Sequence, residues 1–160
     1  MELVGKNTVV TGAANGIGKA VAQIDAHPEI SVKRQSGLYE SHAVTSSGID
    51  QTEPNYLNGV IEVSTSLKPK KLLAALNEVE NQFGRVRLER WAARTLDIDI
   101  ITYGSELVET KSLIIPHPRA HERAFVLVPW AELDPEAVLP GHGKVADLAA
   151  GLANQVWKFE

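Results

Sequence analysis

Residues 56–103 read YLNGVIEVSTSLKPKKLLAALNEVENQFGRVRLERWAARTLDIDIITY, a helix-like stretch between two β-rich segments. Pro69 suits the first turn of a helix, and Gly84 is a natural stop. The apolar residues between them recur at helical spacing, at Leu72, Leu76, Val79 and Phe83. This pattern predicts a helix over Lys68–Phe83 with one face against a core.

The flanking segments complete an alternating order of elements. Tyr56–Ser66 and Thr95–Tyr103 are β-branched and predict strands. The N-terminal part of the chain has the same strand-helix-strand order, with a strand at Thr8–Thr11, a helix at Gly16–Asp25 and an extended segment at Ile30–Tyr39. The resulting order, β-α-β-β-α-β, indicates a ferredoxin-like α+β fold, a helix layer on an antiparallel sheet.

Three further segments lie outside that order. The polar stretch His42–Pro54 predicts a long loop, a length that is often functional. Glu122–Leu133 and a helix near Lys144–Leu152 are extra C-terminal elements.

Composition restricts the class of protein. A chain of 160 residues, 44% hydrophobic, suits a single domain over residues 1–160. It has no cysteine, which excludes disulfides, thiolate zinc sites and cysteine nucleophiles. There is no apolar run long enough for a membrane span and no signal peptide, so we expect a cytoplasmic protein without membrane partners. The net charge of −4 argues against a nucleic-acid partner.

The arginines are concentrated in one part of this acidic chain. Six of the seven fall within residues 85–123, at Arg85, Arg87, Arg90, Arg94, Arg119 and Arg123. Because a guanidinium matches phosphate oxygens in a bidentate way, this region suits a small polyanion.

Two acids follow the first four of those arginines. Asp97 and Asp99 are two residues apart on the predicted strand and therefore share one face, opposite Ile98. Paired carboxylates without a neighbouring His or Cys favour Mg²⁺, which is typically held by one or two carboxylates and substrate phosphates. An exposed strand face with two solvated acids is the alternative, and the arginines favour the magnesium site.

Aromatic and amide side chains add a place for a flat ring. Trp91 lies inside the arginine run, where an indole could stack on a heterocycle or pack partly on the core. Tyr56 and Asn58 share a strand face, and Asn58 could bind the amide edge of a ring. His117 lies between two prolines and either donates a hydrogen bond to a phosphate or is a loop residue without a function. Phe125 either contacts the ring of a ligand or belongs to the hydrophobic core.

Taken together, these residues resemble the 6-hydroxymethyl-7,8-dihydropterin pyrophosphokinase family of folate biosynthesis. The resemblance covers residues from about 30 to the C-terminus and is most specific over Arg90–Asp99. Its other matching pieces are Pro54–Asn58, the helix with Leu72, Leu73 and Glu80, Gly84–Arg87, Pro116–Arg119 and Glu122–Leu127.

The resemblance implies a ferredoxin-like fold and the transfer of pyrophosphate from MgATP to the hydroxymethyl group of the pterin, with release of AMP. It implies that Asp97 and Asp99 hold two Mg²⁺ ions and that Arg85 and Arg94 are catalytic. It implies an ATP-binding set of Asn77, Arg87, Ile100, His117 and Arg123. The resemblance also implies a pterin-binding set of Val44, Tyr56, Asn58, Trp91 and Phe125.

The N-terminus departs from the family. Residues 1–23 resemble the start of a short-chain dehydrogenase/reductase, with Thr11–Gly18 as its glycine-rich cofactor turn. One interpretation is a chimera with a grafted strand-turn-helix, and the other is natural drift of the family's own segment to a glycine-rich turn. One alternative is therefore an inactive or weakly binding hybrid. Another is a fragment of an NAD(P)-binding oxidoreductase, against which the chain has no Tyr-x-x-x-Lys pair. We expect a monomer, or a dimer formed through an exposed sheet edge.

Overall fold

The computed structural model describes residues 4–13, 16–45, 48–50, 56–84 and 96–159. Its helices are α1 (Ile17–Asp25), α2 (Pro69–Gly84), α3 (Ala124–Leu133) and α4 (Val145–Ala150). The strands of the largest sheet are β1 (Val4–Ala13), β2 (Ile30–Gln35), β3 (Tyr39–Ser41), β6 (Tyr56–Thr65), β7 (Leu96–Tyr103) and β12 (Val156–Lys158). The remaining strands form two-stranded sheets: β4 (Ala43–Thr45) with β5 (Gly48–Asp50), β8 (Val108–Glu109) with β9 (Ile114–Ile115), and β10 (Val138–Leu139) with β11 (Gly143–Lys144).

One six-stranded antiparallel sheet organises these elements. Its order is β12-β3-β6-β1-β7, and β2 also pairs with β6. The strands of the β-α-β-β-α-β unit therefore lie in the order β7, β1, β6, β2, with the first and third strands of the unit in the centre. This confirms the predicted ferredoxin-like α+β fold.

The helices cover both faces of the sheet. On one face α1 and α2 pack on Ile61, Val63, Leu96, Ile98 and Ile100. On the other face α3 and α4 pack on Val60 and Ile101. The assignment of faces follows from strand alternation, because neighbouring residues such as Val60 and Ile61 point in opposite directions. The second helix layer is the part that the strand-helix order alone did not predict.

The two helices of the first layer follow their sequence patterns closely. The predicted stripe of α2 is buried at Leu72, Leu76 and Val79, and Phe83 packs against the same core. α1 begins after Gly16, whose φ of 81° is left-handed and suits glycine. That residue lets the chain turn from β1 into the helix.

Two predictions for the middle of the chain were wrong in detail. Ile30–Tyr39 is not one extended segment, because β2 ends at Gln35 and β3 begins at Tyr39. At the break, the backbone N–H of Ser36 donates to the Val60 carbonyl, and its hydroxyl accepts the Val60 N–H. The predicted loop His42–Pro54 contains the paired strands β4 and β5.

None of the helices in the described residues combines the length and apolar character that a membrane crossing needs.

Candidate active site

Asp97 and Asp99 lie on β7, an edge strand of the sheet as described. Leu96, Ile98 and Ile100 alternate with them and are buried under α1 and α2. The two carboxylates therefore point to the opposite face, where Asp97 is exposed and Asp99 is half-buried. The sequence-based prediction of a shared face is confirmed.

The register of β1 brings Asn58 to the same place. Gly12 pairs with Asn58 of β6 on one side and with Asp97 of β7 on the other. Asn58 also points to the face of Asp97, because it is two residues from Val60, which packs under α3 and α4. The candidate ring-binding and metal-binding residues thus form one row across the sheet.

The outer edge of β7 is fixed at two points. A Glu80 carboxylate oxygen, carried by α2, accepts the backbone N–H of Ile98 at 2.8 Å. Three residues further on, the carbonyl of Ile101 accepts the backbone N–H of His117 at 3.0 Å. The first contact supports the peptide between the two aspartates, and the second brings the loop with His117 beside them.

His117 lies in the electric field of the site. Burial and the positive charges of Arg123 and Arg119 lower the pKa of its imidazole, while the negative charge of Asp97 opposes them. Its Nδ1 accepts the backbone N–H of Arg119 at 3.2 Å. In the neutral ring the proton is then on Nε2, which is a donor suited to a phosphate oxygen.

Two arginines accompany His117. The guanidinium carbon of Arg123 lies 5.5 Å from the centre of the Phe125 ring, within the range of a cation–π contact. Arg119 is exposed, and its Nε donates to Glu122 at 2.8 Å. Phe125 is half-buried and also packs against the core beneath α3 and α4. This corner therefore combines cations and an aromatic ring beside the aspartates.

Asn58 is buried, with 4% of its surface exposed. Its amide nitrogen donates to the Ser41 hydroxyl at 2.9 Å and contacts the carbonyls of Tyr39 and Tyr56 at 3.4 Å. Because the nitrogen is engaged by β3 and β6, the orientation of the amide is fixed within the protein. Tyr56 is half-buried and lies on the same strand as Asn58, directly opposite Ser41 of β3.

The remaining predicted site residues fall into three groups. Asn77 is exposed on α2. The side chain of Ile100 is 3% exposed within the core, so its predicted role in ATP binding can apply only to its backbone. Val44 lies on β4, and its side chain is outside the described part of the structure. Four predicted residues lie outside the described residues: Arg85, Arg87, Trp91 and Arg94.

The donor set of this site fits Mg²⁺. Among the described residues, no three His, Asp or Glu side chains gather as a ready-made metal cage. Two carboxylates on one strand face, with no cluster of further ligands in the part of the chain that the structure describes, suit a metal ion that also binds water and substrate phosphates. This is the usual arrangement for Mg²⁺ bound together with a nucleotide.

Glu80 and Ser41 are site residues whose roles the sequence did not indicate. Glu80 follows Leu76 by four residues, so it lies at the margin of the apolar stripe, where a charged side chain is unexpected. A charged residue at that position of the helix could have indicated a specific role for Glu80. Ser41 gave no comparable signal, because its contact with Asn58 joins residues 17 apart in the chain.

Comparison with known proteins agrees with this geometry. Residues 4–135 match the family described as 7,8-dihydro-6-hydroxymethylpterin-pyrophosphokinase. The chain is 37% identical over 154 residues to the 2-amino-4-hydroxy-6-hydroxymethyldihydropteridine pyrophosphokinase of Haemophilus influenzae, covering 92% of this chain and 94% of that one. It is 43% identical over 125 residues to the Synechocystis enzyme of the same name, covering 78% of this chain and 62% of that one.

A solved structure shows the same fold. The Plasmodium falciparum HPPK-DHPS wild-type protein with pteroate superposes with a TM-score of 0.72 at 12% identity, over 96% of this chain. This chain spans 43% of that longer one.

These matches confirm the predicted enzyme class, a pyrophosphokinase of folate biosynthesis. The family match begins at residue 4 and so includes most of the segment that resembles a dehydrogenase. The comparisons do not show a chimera. The chain belongs to the 7,8-dihydro-6-hydroxymethylpterin-pyrophosphokinase family.

Proposed function

We propose that this chain transfers a pyrophosphoryl group from ATP to 6-hydroxymethyl-7,8-dihydropterin. The hydroxymethyl oxygen forms a bond to the β-phosphorus of ATP, the bond from that phosphorus to the α,β-bridging oxygen breaks, and AMP leaves. The hydroxyl proton passes to solvent. The single observation that carries the proposal is the row of Asn58, Gly12 and Asp97 across one sheet face.

The phosphate side of this row is built from acids and cations. We propose that Asp97 and Asp99 hold two Mg²⁺ ions, which when bound neutralise phosphate charge. His117 and Arg123 would contact the ATP phosphates, since the pKa of His117 reflects the charges of both Arg123 and Asp97. Such reactions depend mostly on positioning and charge stabilisation, which suits a site built from acids and cations.

The other proposed nucleotide contacts are Asn77, Arg87 and the backbone of Ile100. Arg85 and Arg94 are the proposed catalytic arginines, which would stabilise the charge of the transferring group. The roles of Arg85, Arg87 and Arg94 rest on the resemblance of Gly84–Arg87 and Arg90–Asp99 to the family motif. Those of Asn77 and Ile100 rest on the wider resemblance from about residue 30 onward.

The pterin side of the row centres on Asn58. Its amide is held by Ser41, so it presents a fixed hydrogen-bonding edge to a flat heterocycle. Tyr56 and Phe125 are half-buried, as expected for side chains that also contact a ligand. We propose that Val44 and Trp91 complete the pterin site, with Trp91 stacking on the ring.

An assay of AMP release tests this function. The protein, ATP, Mg²⁺ and 6-hydroxymethyl-7,8-dihydropterin are combined, and AMP is measured with each component omitted in turn. We expect release only when all are present. A folded protein that releases no AMP would support the alternative of an inactive hybrid. Saturable NADH binding, measured by fluorescence, would support a dehydrogenase-derived N-terminus.

We also propose a cytoplasmic location and a monomer or an edge-to-edge dimer. The edge strand β12 supports an edge-to-edge dimer, because Trp157 on this strand is 37% exposed and Phe159, just after it, is 45% exposed. Sedimentation velocity at several concentrations distinguishes the two states.

A further inference from the structure

The C-terminal strand β12 pairs with β3, and in this pairing Trp157 lies directly opposite Glu40. The next residue of β3, Ser41, reaches Asn58 on the face of the candidate site. Because successive residues of a strand point to opposite faces, Glu40 projects from the back of the sheet. Its partner on the other side is Leu57, which packs against the core beneath α1 and α2. Trp157 projects from the same back face, since directly opposite residues share a face.

The indole of Trp157 contacts both chain neighbours of Ser41. Its Nε1–H donates to a Glu40 carboxylate oxygen at 2.7 Å. The centre of the Trp157 ring lies 5.0 Å from that of His42, with 62° between the two planes, which is an edge-to-face contact. One side chain therefore holds the residue before Ser41 and the residue after it.

The position of Ser41 decides the orientation of the amide in the candidate site. Ser41 is 6% exposed, and its hydroxyl accepts the amide N–H of Asn58 at 2.9 Å. A hydrogen bond of this length weakens when the acceptor moves or tilts, and β3 has only three residues, Tyr39–Ser41. The chain after His42 enters β4, the strand of Val44. The contacts of Trp157 therefore stabilise β3 at the point where the Asn58 amide depends on it.

The phosphate side of the site lies far from this contact. In the sheet order β12-β3-β6-β1-β7, three strand spacings separate β3 from β7, which carries Asp97 and Asp99. At about 4.8 Å a spacing this is about 14 Å between backbones. A change at Trp157 is thus local to the side of the site that holds Asn58.

We infer that Trp157 is a positioning residue for the pterin, holding β3 from the back of the sheet so that Ser41 orients the Asn58 amide. This inference rests on the proposed function, since it takes Asn58 as the pterin contact. Trp157 itself does not touch the substrate, because its indole lies on the opposite face from Asn58. Its role is carried by Glu40 and His42 on either side of Ser41.

The test removes one contact at a time. Trp157→Phe keeps an aromatic ring beside His42 but loses the N–H donor, and Glu40→Ala removes the acceptor of the same hydrogen bond. Phe159→Ala is the matched control, because Phe159 is also an exposed aromatic residue of this tail. Its backbone N–H, which the variant keeps, donates to the carbonyl of Leu38 at 2.9 Å. Each protein is assayed for the pterin KM and the ATP KM by AMP release, for pterin binding by calorimetry, and for its Tm.

We expect Trp157→Phe and Glu40→Ala to raise the pterin KM by a similar factor, roughly three- to tenfold, since each removes the same hydrogen bond. The ATP KM should stay at the wild-type value. Glu40→Gln keeps an acceptor oxygen and should restore the pterin KM. The double variant Trp157→Phe, Ser41→Ala should have the same pterin KM as Ser41→Ala alone, because the two residues act in one chain of contacts. Phe159→Ala should match the wild type in both KM values.

Four results overturn the inference. One is a wild-type pterin KM in both Trp157→Phe and Glu40→Ala. Another is an equal rise of the pterin and ATP KM values together with a fall in Tm, which would assign Trp157 to packing alone. Additive effects in the double variant would show that Trp157 does not act through Ser41. The same rise in Phe159→Ala would assign the effect to the exposed surface of the whole tail.

Calorimetry on the wild type separates these results from a failure of the proposed function. A wild type that binds the pterin, with variants that behave in any of those four ways, contradicts the role of Trp157 and leaves the proposed function in place. A wild type that binds no pterin and releases no AMP contradicts the proposed function, and the inference falls with it.

Discussion

The carboxylate of Glu80 accepts the backbone N–H of Ile98 at 2.8 Å, and so ties α2 to the peptide between Asp97 and Asp99. Ile98 is buried, so the contact fixes the strand from its edge while the two acids remain on the other face. Groups that orient metal ligands from behind commonly change metal affinity when they are removed.

Replacing Glu80 should therefore weaken the magnesium dependence of nucleotide binding. We expect Glu80→Ala to raise the Mg²⁺ concentration at half-saturation by roughly 10–100-fold. Glu80→Gln keeps an acceptor oxygen and should remain close to the wild type. Calorimetric titration of ATP at several Mg²⁺ concentrations measures both.

A matched control exists on the other side of the fold. Asp25 of α1 accepts the backbone N–H of Val32 on β2 at 2.9 Å, the same kind of helix-to-strand contact. Asp25→Ala should change the Tm without changing the Mg²⁺ midpoint. If Glu80→Ala behaves in the same way as Asp25→Ala, Glu80 has only a structural role.

Ser41 should control the affinity for the pterin through Asn58. Ser41→Ala removes the best acceptor of the Asn58 amide nitrogen, which should destabilise the fold by about 1 kcal/mol and raise the pterin KM. Ser41→Thr keeps the hydroxyl and should restore binding. Ser66→Ala, which removes a contact with Glu29 beyond the far end of β6, is the control. An unchanged pterin KM in Ser41→Ala would contradict this role.

His117 should make the protein less stable at acidic pH. Its pKa in the folded state is lowered, chiefly by burial and then by Arg123. As the pH falls through 6.5, the His117 imidazole takes up a proton in the unfolded chain, whereas in the folded protein it stays neutral to a lower pH. Stability from this group is present above pH 6.5 and is lost as the pH falls toward the folded pKa. His117→Gln should remove this component, as measured by Tm from pH 5 to pH 8. Equal pH profiles for both proteins would exclude it.

Tyr39 should resist ionisation. Its hydroxyl donates to Glu132 at 2.5 Å, joining β3 to α3, and burial raises its pKa to about 12. Because the folded pKa exceeds the unfolded value of 10.0, the stabilisation is complete below pH 10 and is lost as the pH rises through about 12. Ultraviolet titration of the phenolate, with Tyr39→Phe as the reference, measures this directly. A Tyr39 that titrates near pH 10 would contradict the contact.

The central half of the fold was predictable because its signals are local. The stripe from Leu72 to Phe83 and the alternation from Leu96 to Ile100 each encode the buried face of one element. The predicted helix over Lys68–Phe83 differs from α2 by a single residue at each end. Asp97 and Asp99 could be placed on a common face for the same reason.

The parts that were not predicted depend on distant residues. β12 pairs with β3 across more than 110 residues, and nothing in the sequence of Val156–Lys158 indicates that partner. The pairing of Gly12 with Asn58 and Asp97 is equally non-local, so its glycine was interpreted as part of a cofactor turn. Helix and strand periodicity describe one element at a time, whereas the site is formed by the register between three strands.

Calorimetry of ATP binding with and without Mg²⁺ tests the central claim most directly. The wild type is compared with the double variant Asp97→Asn, Asp99→Asn, which keeps the size of both side chains. We expect Mg²⁺ to strengthen ATP binding by the wild type and to have no effect on the double variant. If the nucleotide affinity of the wild type is the same with and without Mg²⁺, the two aspartates are not a magnesium site.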